Sequence, residues 1–167
     1  MSLSQALLPE FTQEMAGLRR VIERIPAGRM DYKPHAKCFS LGDLANHLVE
    51  IPGWTVSTLT MDELDLSDPD LVAKRPAPSQ DAAGLLRTLD AGVEKALAVL
   101  AQTSDATFGE NWTLKNEGQA LFTMPRATVL RSFVLNHVIH HRAQLGLYLR
   151  LLEVPVPALY GPSADEA

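Results

Sequence analysis

Two histidines near the C-terminus, His137 and His141, lie four residues apart in the stretch FVLNHVIHHRAQLGLYLRLL. In an α-helix each residue advances about 100°, so both side chains would lie on one face, one turn apart. At this spacing two imidazoles can share one metal ion. The same face carries apolar residues and is therefore expected to be buried. His140 points about 60° away from His137 and is not expected to be a ligand.

A third histidine, His47, lies on the apolar stripe of another predicted helix, in register with Leu44, Leu48 and Ile51. A single histidine on such a face is more often a hydrogen-bonded core residue than a ligand. Two buried imidazoles without hydrogen-bond partners would each destabilise the fold, because each loses its contact with water. A third inward histidine further favours a shared ligand. Metal sites of helical bundles are built from such facing positions. The spacing therefore favours a three-histidine metal site.

Three imidazole nitrogens leave at least one coordination position open, which is typical of catalytic rather than structural zinc sites. Zinc and nickel suit this donor set better than iron or manganese. Asn136, Gln144 and Glu50 could each orient a ligand or form an ordinary hydrogen bond. Arg142 could bind an anionic substrate or form an inter-helix salt bridge. No general base or nucleophile can be identified from these residues.

The composition narrows the class of protein. The chain has 167 residues, 46% of them hydrophobic and 6% aromatic, which indicates a helical fold in a single domain over residues 1–167. Its net charge of −5 without a basic block argues against a nucleic-acid partner. No apolar run approaches the ~18 residues of a membrane span. The single cysteine, Cys38, excludes an internal disulfide and favours a reduced thiol in the cytoplasm.

Apolar spacing predicts four helices: about Ser4 to Ile25, Ser40 to beyond Pro52, about Ser79 to Gln102, and Pro125 to about Leu152. Ser40 and Ser79 are the predicted N-caps of the second and third helices, and Ser40 with Asp43 resembles a capping box. These elements predict an all-α, up-and-down four-helix bundle with a crossover in place of one short turn.

Two connections have distinct compositions. DLSDPDLVAKRPAPSQ is rich in Asp and Pro and is predicted to be a loop. TFGENWTLKNEGQALFTM alternates apolar and polar residues around KNEG, which predicts a small β-hairpin between the third and fourth helices.

The segments SLGDLANHLVEIPGW and NHVIHHRAQLGLYLRLLEVPVPALYGPS resemble the DinB/YfiT-like superfamily of metal-dependent enzymes. The resemblance covers nearly the whole chain and implies a four-helix bundle with His47, His137 and His141 as metal ligands. Ala143 stands where many relatives have glycine, a difference that leaves the ligands unchanged. Characterised relatives include transferases and isomerases that use a low-molecular-weight thiol such as bacillithiol or mycothiol, and homodimers are common among them.

The resulting hypothesis is a divalent-metal-dependent, thiol-dependent S-transferase or a hydrolase that acts on a small molecule. The alternative is a non-catalytic, metal- or ligand-binding stress-response module. A third possibility is a helical interaction protein with histidines in its core, whose stability would not depend on metal. The sequence names neither the substrate, the thiol nor the native metal.

Overall fold

The computed structural model describes residues 1–73, 75 and 77–166, and the chain is mostly helical, as predicted. In chain order the elements are α1 (Leu3–Ile22), α2 (Leu41–Thr60), β1 (Glu63–Asp65), α3 (Pro69–Ala73), α4 (Ala82–Gln102), α5 (Asp105–Gly109), β2 (Asn111–Asn116), β3 (Gln119–Pro125), α6 (Arg126–Val129), a π-helical segment (Leu130–Leu135) and α7 (Asn136–Leu151). Within these described residues, no helix is both long enough and apolar enough to cross a membrane.

Capping residues fix where two of the long helices begin. Ser40 and Asp43 form a reciprocal capping box at the start of α2, as predicted. The predicted cap of the third helix was wrong, because Asp81 rather than Ser79 caps α4 and accepts the hydrogen bond from Gly84 N. Ser79 instead exchanges two backbone hydrogen bonds with the Asn46 side chain. It thereby ties the segment before α4 to α2.

The helices α2 and α4 run in the same direction. Asn46, early in α2, contacts Ser79 just before α4, and Pro52, midway along α2, lies beside Gly92 midway along α4. The sequence predicted an up-and-down bundle with a crossover in place of one short turn, and this parallel pair is the departure from alternation that such a crossover produces. The connection over residues 61–81 is long enough to run back along the helices, so the single crossover lies between α2 and α4.

The helices α1 and α7 also run in the same direction. Glu10 pairs with Arg131 of the π-helical segment, and Glu14 pairs with Arg142 further along both elements. α1 packs against α4 and α7, and α2 also packs against α4 and α7, which gives the closed order α1–α4–α2–α7. Apolar side chains of all four long helices meet in the space that this order encloses.

The three strands form one small sheet in the order β1-β2-β3. β2 and β3 pair antiparallel, with Glu117 and Gly118 between them at φ values of 51° and 73°. Positive φ at both positions suits a tight two-residue connection. β1 pairs parallel to β2, a contact that the sequence did not predict. Pro125 is both the last residue of β3 and the N-cap of α6, so the last helical stretch begins close to the predicted position.

The C-terminal helical stretch is anchored to α2 at its beginning. The side chain of Arg126 is buried and donates a hydrogen bond of 2.6 Å to the carbonyl of Thr58. It also bonds the carbonyl of Met61 and pairs with Asp62, so it satisfies backbone groups at the end of α2. α6, the π-helical segment and α7 then follow without a break. Single π-helical turns of this kind are frequent at functional sites.

Candidate metal centre

The structure brings His47, His137 and His141 together. One potential ligand atom from each residue lies within 4.8 Å of the other two, and all three side chains are half-buried. The Nε2 atoms of His47 and His137 are 3.1 Å apart. The ring centroids of the three pairs are separated by 4.6 to 5.0 Å. The predicted set is thus a single cluster formed by two helices.

The antiparallel arrangement of α2 and α7 produces this meeting. Arg126 fixes the end of α2 to the start of the C-terminal stretch, and Tyr148 donates a 3.2 Å hydrogen bond to the Phe39 carbonyl at the other end of the contact. His47 lies between these two fixed points on α2. His137 and His141 face it from consecutive turns of α7.

Two further contacts orient the imidazoles. His141 Nδ1 donates to Gln144 Oε1 at 2.6 Å, which leaves Nε2 of His141 available to a ligand. A backbone hydrogen bond from the π-helical segment, at Phe133, engages the His137 ring. Asn136 is exposed and, in the part of the chain that the structure describes, makes no hydrogen bond to the cluster. Gln144 is therefore the predicted neighbour that orients a ligand.

Both buried imidazoles of the closest pair are poorer bases than free histidine. Burial, followed by the nearby His137 and His141, lowers the pKa of His47 to about 4. Burial first, and then His141, also lowers the pKa of His137, while the Phe133 backbone acts in the opposite direction. Both rings are therefore neutral at pH 7, the state in which an imidazole binds metal.

The donor set fits a divalent transition metal. Tetrahedral Zn–N bonds of about 2.0–2.1 Å place two ligand nitrogens about 3.3 Å apart. The 3.1 Å separation of the His47 and His137 nitrogens is close to that value. Three imidazole donors without a thiolate or carboxylate in the group favour zinc or nickel over the harder magnesium and calcium ions.

Arg142 adopts the structural alternative left open by the sequence. Its side chain is 2% exposed and pairs with the Glu14 carboxylate at 2.7 Å. It also donates to the Glu14 carbonyl at 2.9 Å and to the Tyr160 hydroxyl. These partners lie on the α1 side of α7, so Arg142 is not available to an anionic substrate at the cluster.

The remaining reactive side chains lie outside the cluster. His140 is exposed, with its ring 4.9 Å from that of His141, and it is not one of the grouped ligands, as predicted. His35 is exposed and accepts a hydrogen bond from Lys37 N. Cys38 is half-buried; burial, followed by the neighbouring Cys38 thiol, raises the pKa of Tyr148 to about 12.

Glu50 is half-buried one turn from His47 on α2. Burial raises the pKa of its carboxyl, and Arg75 partly opposes this effect. The helical spacing places Glu50 at the edge of the face that carries His47. Its side chain forms no hydrogen bond or ion pair with the cluster among the described residues.

The sequence reasoning missed two aromatic residues beside the cluster. The Trp54 ring lies 5.6 Å from that of His47 and 5.4 Å from that of His137. The Phe39 ring lies 6.4 Å from that of His47. A signal for Trp54 was present, because it follows His47 by seven residues and therefore shares its helix face.

Comparisons with known proteins agree with this architecture. A family model described as the DinB family matches residues 1–167. A crystal structure of a DinB-like protein from Bacillus subtilis matches with a TM-score of 0.71 at 17% identity, covering 92% of this chain and 97% of that one. One from Bacillus cereus matches with a TM-score of 0.70 at 17% identity, covering 93% and 97%. No curated protein sequence matches the chain.

Proposed function

The chain belongs to the DinB family, and from this premise we propose that it is a divalent-metal-dependent enzyme acting on a small molecule. The reaction we infer is thiol-dependent S-transfer or hydrolysis. One observation carries the proposal: three imidazole donors from two helices lie within 4.8 Å of one another, without a fourth protein ligand in the group. An open position on such a set is the arrangement of catalytic metal sites.

Each residue of the candidate site would have a distinct role. His47, His137 and His141 would hold zinc or nickel, and Gln144 would keep the His141 ring in the orientation that presents Nε2. A divalent ion held there would lower the pKa of a bound thiol or water and so supply a nucleophile near neutral pH. The low pKa of His47 keeps this ligand free of protons under the same conditions.

The proposal also covers the bundle architecture, the oligomeric state and the location of the protein. We infer that the four long helices form the family's four-helix bundle, with the short sheet as an appendage, because α1, α4, α2 and α7 pack in a closed order. A homodimer in the cytoplasm is the expected state of the protein. The family resemblance supports the dimer, and the single, unpaired cysteine supports the location.

A non-catalytic, metal- or ligand-binding module is the second candidate. It is favoured by the position of Cys38, which is not grouped with the three histidines. Glu50 likewise forms no described contact with the cluster, so a general base is not in place. Under this alternative the protein would bind metal and a small ligand without turnover.

Elemental analysis of protein purified without added metal tests the proposal. We expect about one zinc or nickel ion per chain, lost on replacement of His47, His137 and His141 by Ala and retained in His140→Ala. Metal bound to the folded state alone should also raise the melting temperature. Conjugation of a generic electrophile by several thiols separates the two candidates. A rate no higher than that of the metal-free control would favour the binding module, and metal retained by the triple variant would refute both.

A further inference from the structure

Two aromatic side chains flank the histidine cluster from opposite directions along α2. Phe39 precedes the N-cap of the helix, and Trp54 follows His47 by seven residues, or about 10 Å of helix rise. Both rings nevertheless approach the His47 ring, at centroid distances of 6.4 Å and 5.6 Å. The His47 ring therefore has one aromatic neighbour from each direction along α2.

Neither the Phe39 ring nor the Trp54 ring is fully buried in the core. Phe39 is 56% exposed, although burial of a phenyl ring is one of the larger contributions that a side chain can make to folding. Trp54 is half-buried and meets the His47 ring in an edge-on arrangement. Aromatic rings favour such edge-on and offset contacts with other flat rings. Each of these two side chains thus keeps surface that a flat ligand could cover.

The charges around the cluster limit what that ligand can be. A bound divalent cation would repel an ammonium group placed between the same rings. Arg142, adjacent in sequence to His141, is already held by Glu14 and Tyr160 and offers no guanidinium to a carboxylate. On α2, Glu50 lies one turn from His47; burial raises the pKa of its carboxyl, and the nearby positive charge of Arg75 partly opposes this effect. A neutral, flat group fits this environment.

Building on the function proposed above, we propose that Phe39 and Trp54 form a recognition subsite, and that the centre takes a small thiol whose sulfur is carried by an aromatic or similarly flat, apolar group. The sulfur occupies the open position among the three histidines, and the flat group contacts Phe39 and Trp54. Sulfur itself also interacts favourably with aromatic rings.

Thiol titrations of the cobalt-loaded protein, followed by the visible absorption of the metal, test this subsite. Benzyl mercaptan supplies the flat group, 2-mercaptoethanol is the neutral comparison, and 3-mercaptopropionate is the anionic one. We expect benzyl mercaptan to bind about tenfold more tightly than either comparison. Phe39→Ala and Trp54→Leu should each remove most of this preference by weakening benzyl mercaptan more than 2-mercaptoethanol. Trp54→Phe should retain it.

Leu121→Ala is the matched control, because Leu121 is a 57% exposed apolar residue of β3 and is neither one of the three histidines nor one of the two aromatic residues of the subsite. It should leave the preference unchanged. Cobalt content, measured for every variant, separates the two proposals. A wild-type protein that holds no cobalt overturns the proposed function and this subsite with it. A loaded protein without a preference for benzyl mercaptan, or variants that weaken all three thiols equally, overturn the subsite alone.

Discussion

The Nε2 atoms of His47 and His137 face each other at 3.1 Å, although the two residues are 90 positions apart in the chain. Their meeting depends on α2 and α7 running in opposite directions between two fixed points, Arg126 at one end and Tyr148 at the other. A pair of ring nitrogens at this distance must share either a proton or a ligand, because two facing lone pairs would repel.

Without metal, the stability of the fold should fall as the pH falls from about 6.5 toward 4. The folded-state pKa of His47 is lowered to about 4, whereas the unfolded chain has a pKa near 6.5. The unfolded state therefore binds more protons in this window, and acidification favours unfolding. Because His47 is half exposed, solvent screening should reduce its contribution to about 1 kcal/mol.

Urea denaturation in the presence of a chelator, at about pH 7 and about pH 5, measures this dependence. The variant His47→Gln removes the titrating group and should show a smaller loss between the two pH values. An equal loss in the variant and the wild type would show that His47 is not its source.

Replacement of Gln144 by Ala should weaken metal binding about 10- to 100-fold, the usual effect of removing a group that orients a histidine ligand. The reason is the 2.6 Å hydrogen bond between His141 Nδ1 and Gln144 Oε1. Competition with a chromogenic chelator gives the dissociation constant. Asn136→Ala is the control, since Asn136 is an exposed residue of the same helix. Equal affinities in Gln144→Ala and wild type would rule out an orienting role.

Removal of the Glu14 side chain should strongly destabilise the protein. Arg142 is 2% exposed, and Glu14→Ala would leave its guanidinium buried without its carboxylate partner. Breaking a buried pair in this way costs about 3–5 kcal/mol. Glu23→Ala, which removes the exposed partner of Arg19, should cost less than about 1 kcal/mol. Urea denaturation measures the free energy of unfolding of both variants. Similar losses of stability in the two would contradict the predicted difference between a buried and an exposed ion pair.

Gly17 provides the space that Arg142 occupies. A Cβ atom at this position would lie 2.6 Å from Arg142 Nη1, and the guanidinium is held by Glu14 and Tyr160. Gly17→Ala should therefore destabilise the fold by about 1–3 kcal/mol, as overpacking usually does. Gly146→Ala has only Val156 Cγ1 at 3.9 Å and should be neutral or stabilising by about 0.5–1 kcal/mol. Thermal unfolding should show a lower melting temperature for Gly17→Ala and an unchanged or higher one for Gly146→Ala.

The sequence predicted the histidine cluster because helical spacing decides which side chains share a face. His137 and His141 lie one turn apart in any α-helix, and the apolar neighbours of His47 place it inward in the same way. The capping box of Ser40 and Asp43 was predictable for a similar reason, since it depends on residues three positions apart. Local geometry was sufficient for each of these features.

Features that depend on the partner of a helix were not predictable in this way. Parallel packing of α2 on α4 follows from the path of the connection between them, which the composition of residues 61–81 does not specify. The role of Arg142 depended on which helix packs against its side of α7, and that helix is α1, which carries Glu14. Ser79 and Asp81 are both capable N-caps, and the contact of Ser79 with Asn46 decides between them.

The π-helical segment at Leu130–Leu135 sets the rotational phase of the C-terminal stretch. Its wider turn accommodates an extra residue. The segment therefore determines in which direction the His137 side chain leaves the helix axis relative to that of Arg126. A one-residue deletion that converted the segment to regular α-helix would rotate one of these residues relative to the other by about 100°. The attachment to the end of α2 and the histidine cluster could then no longer face the same helix.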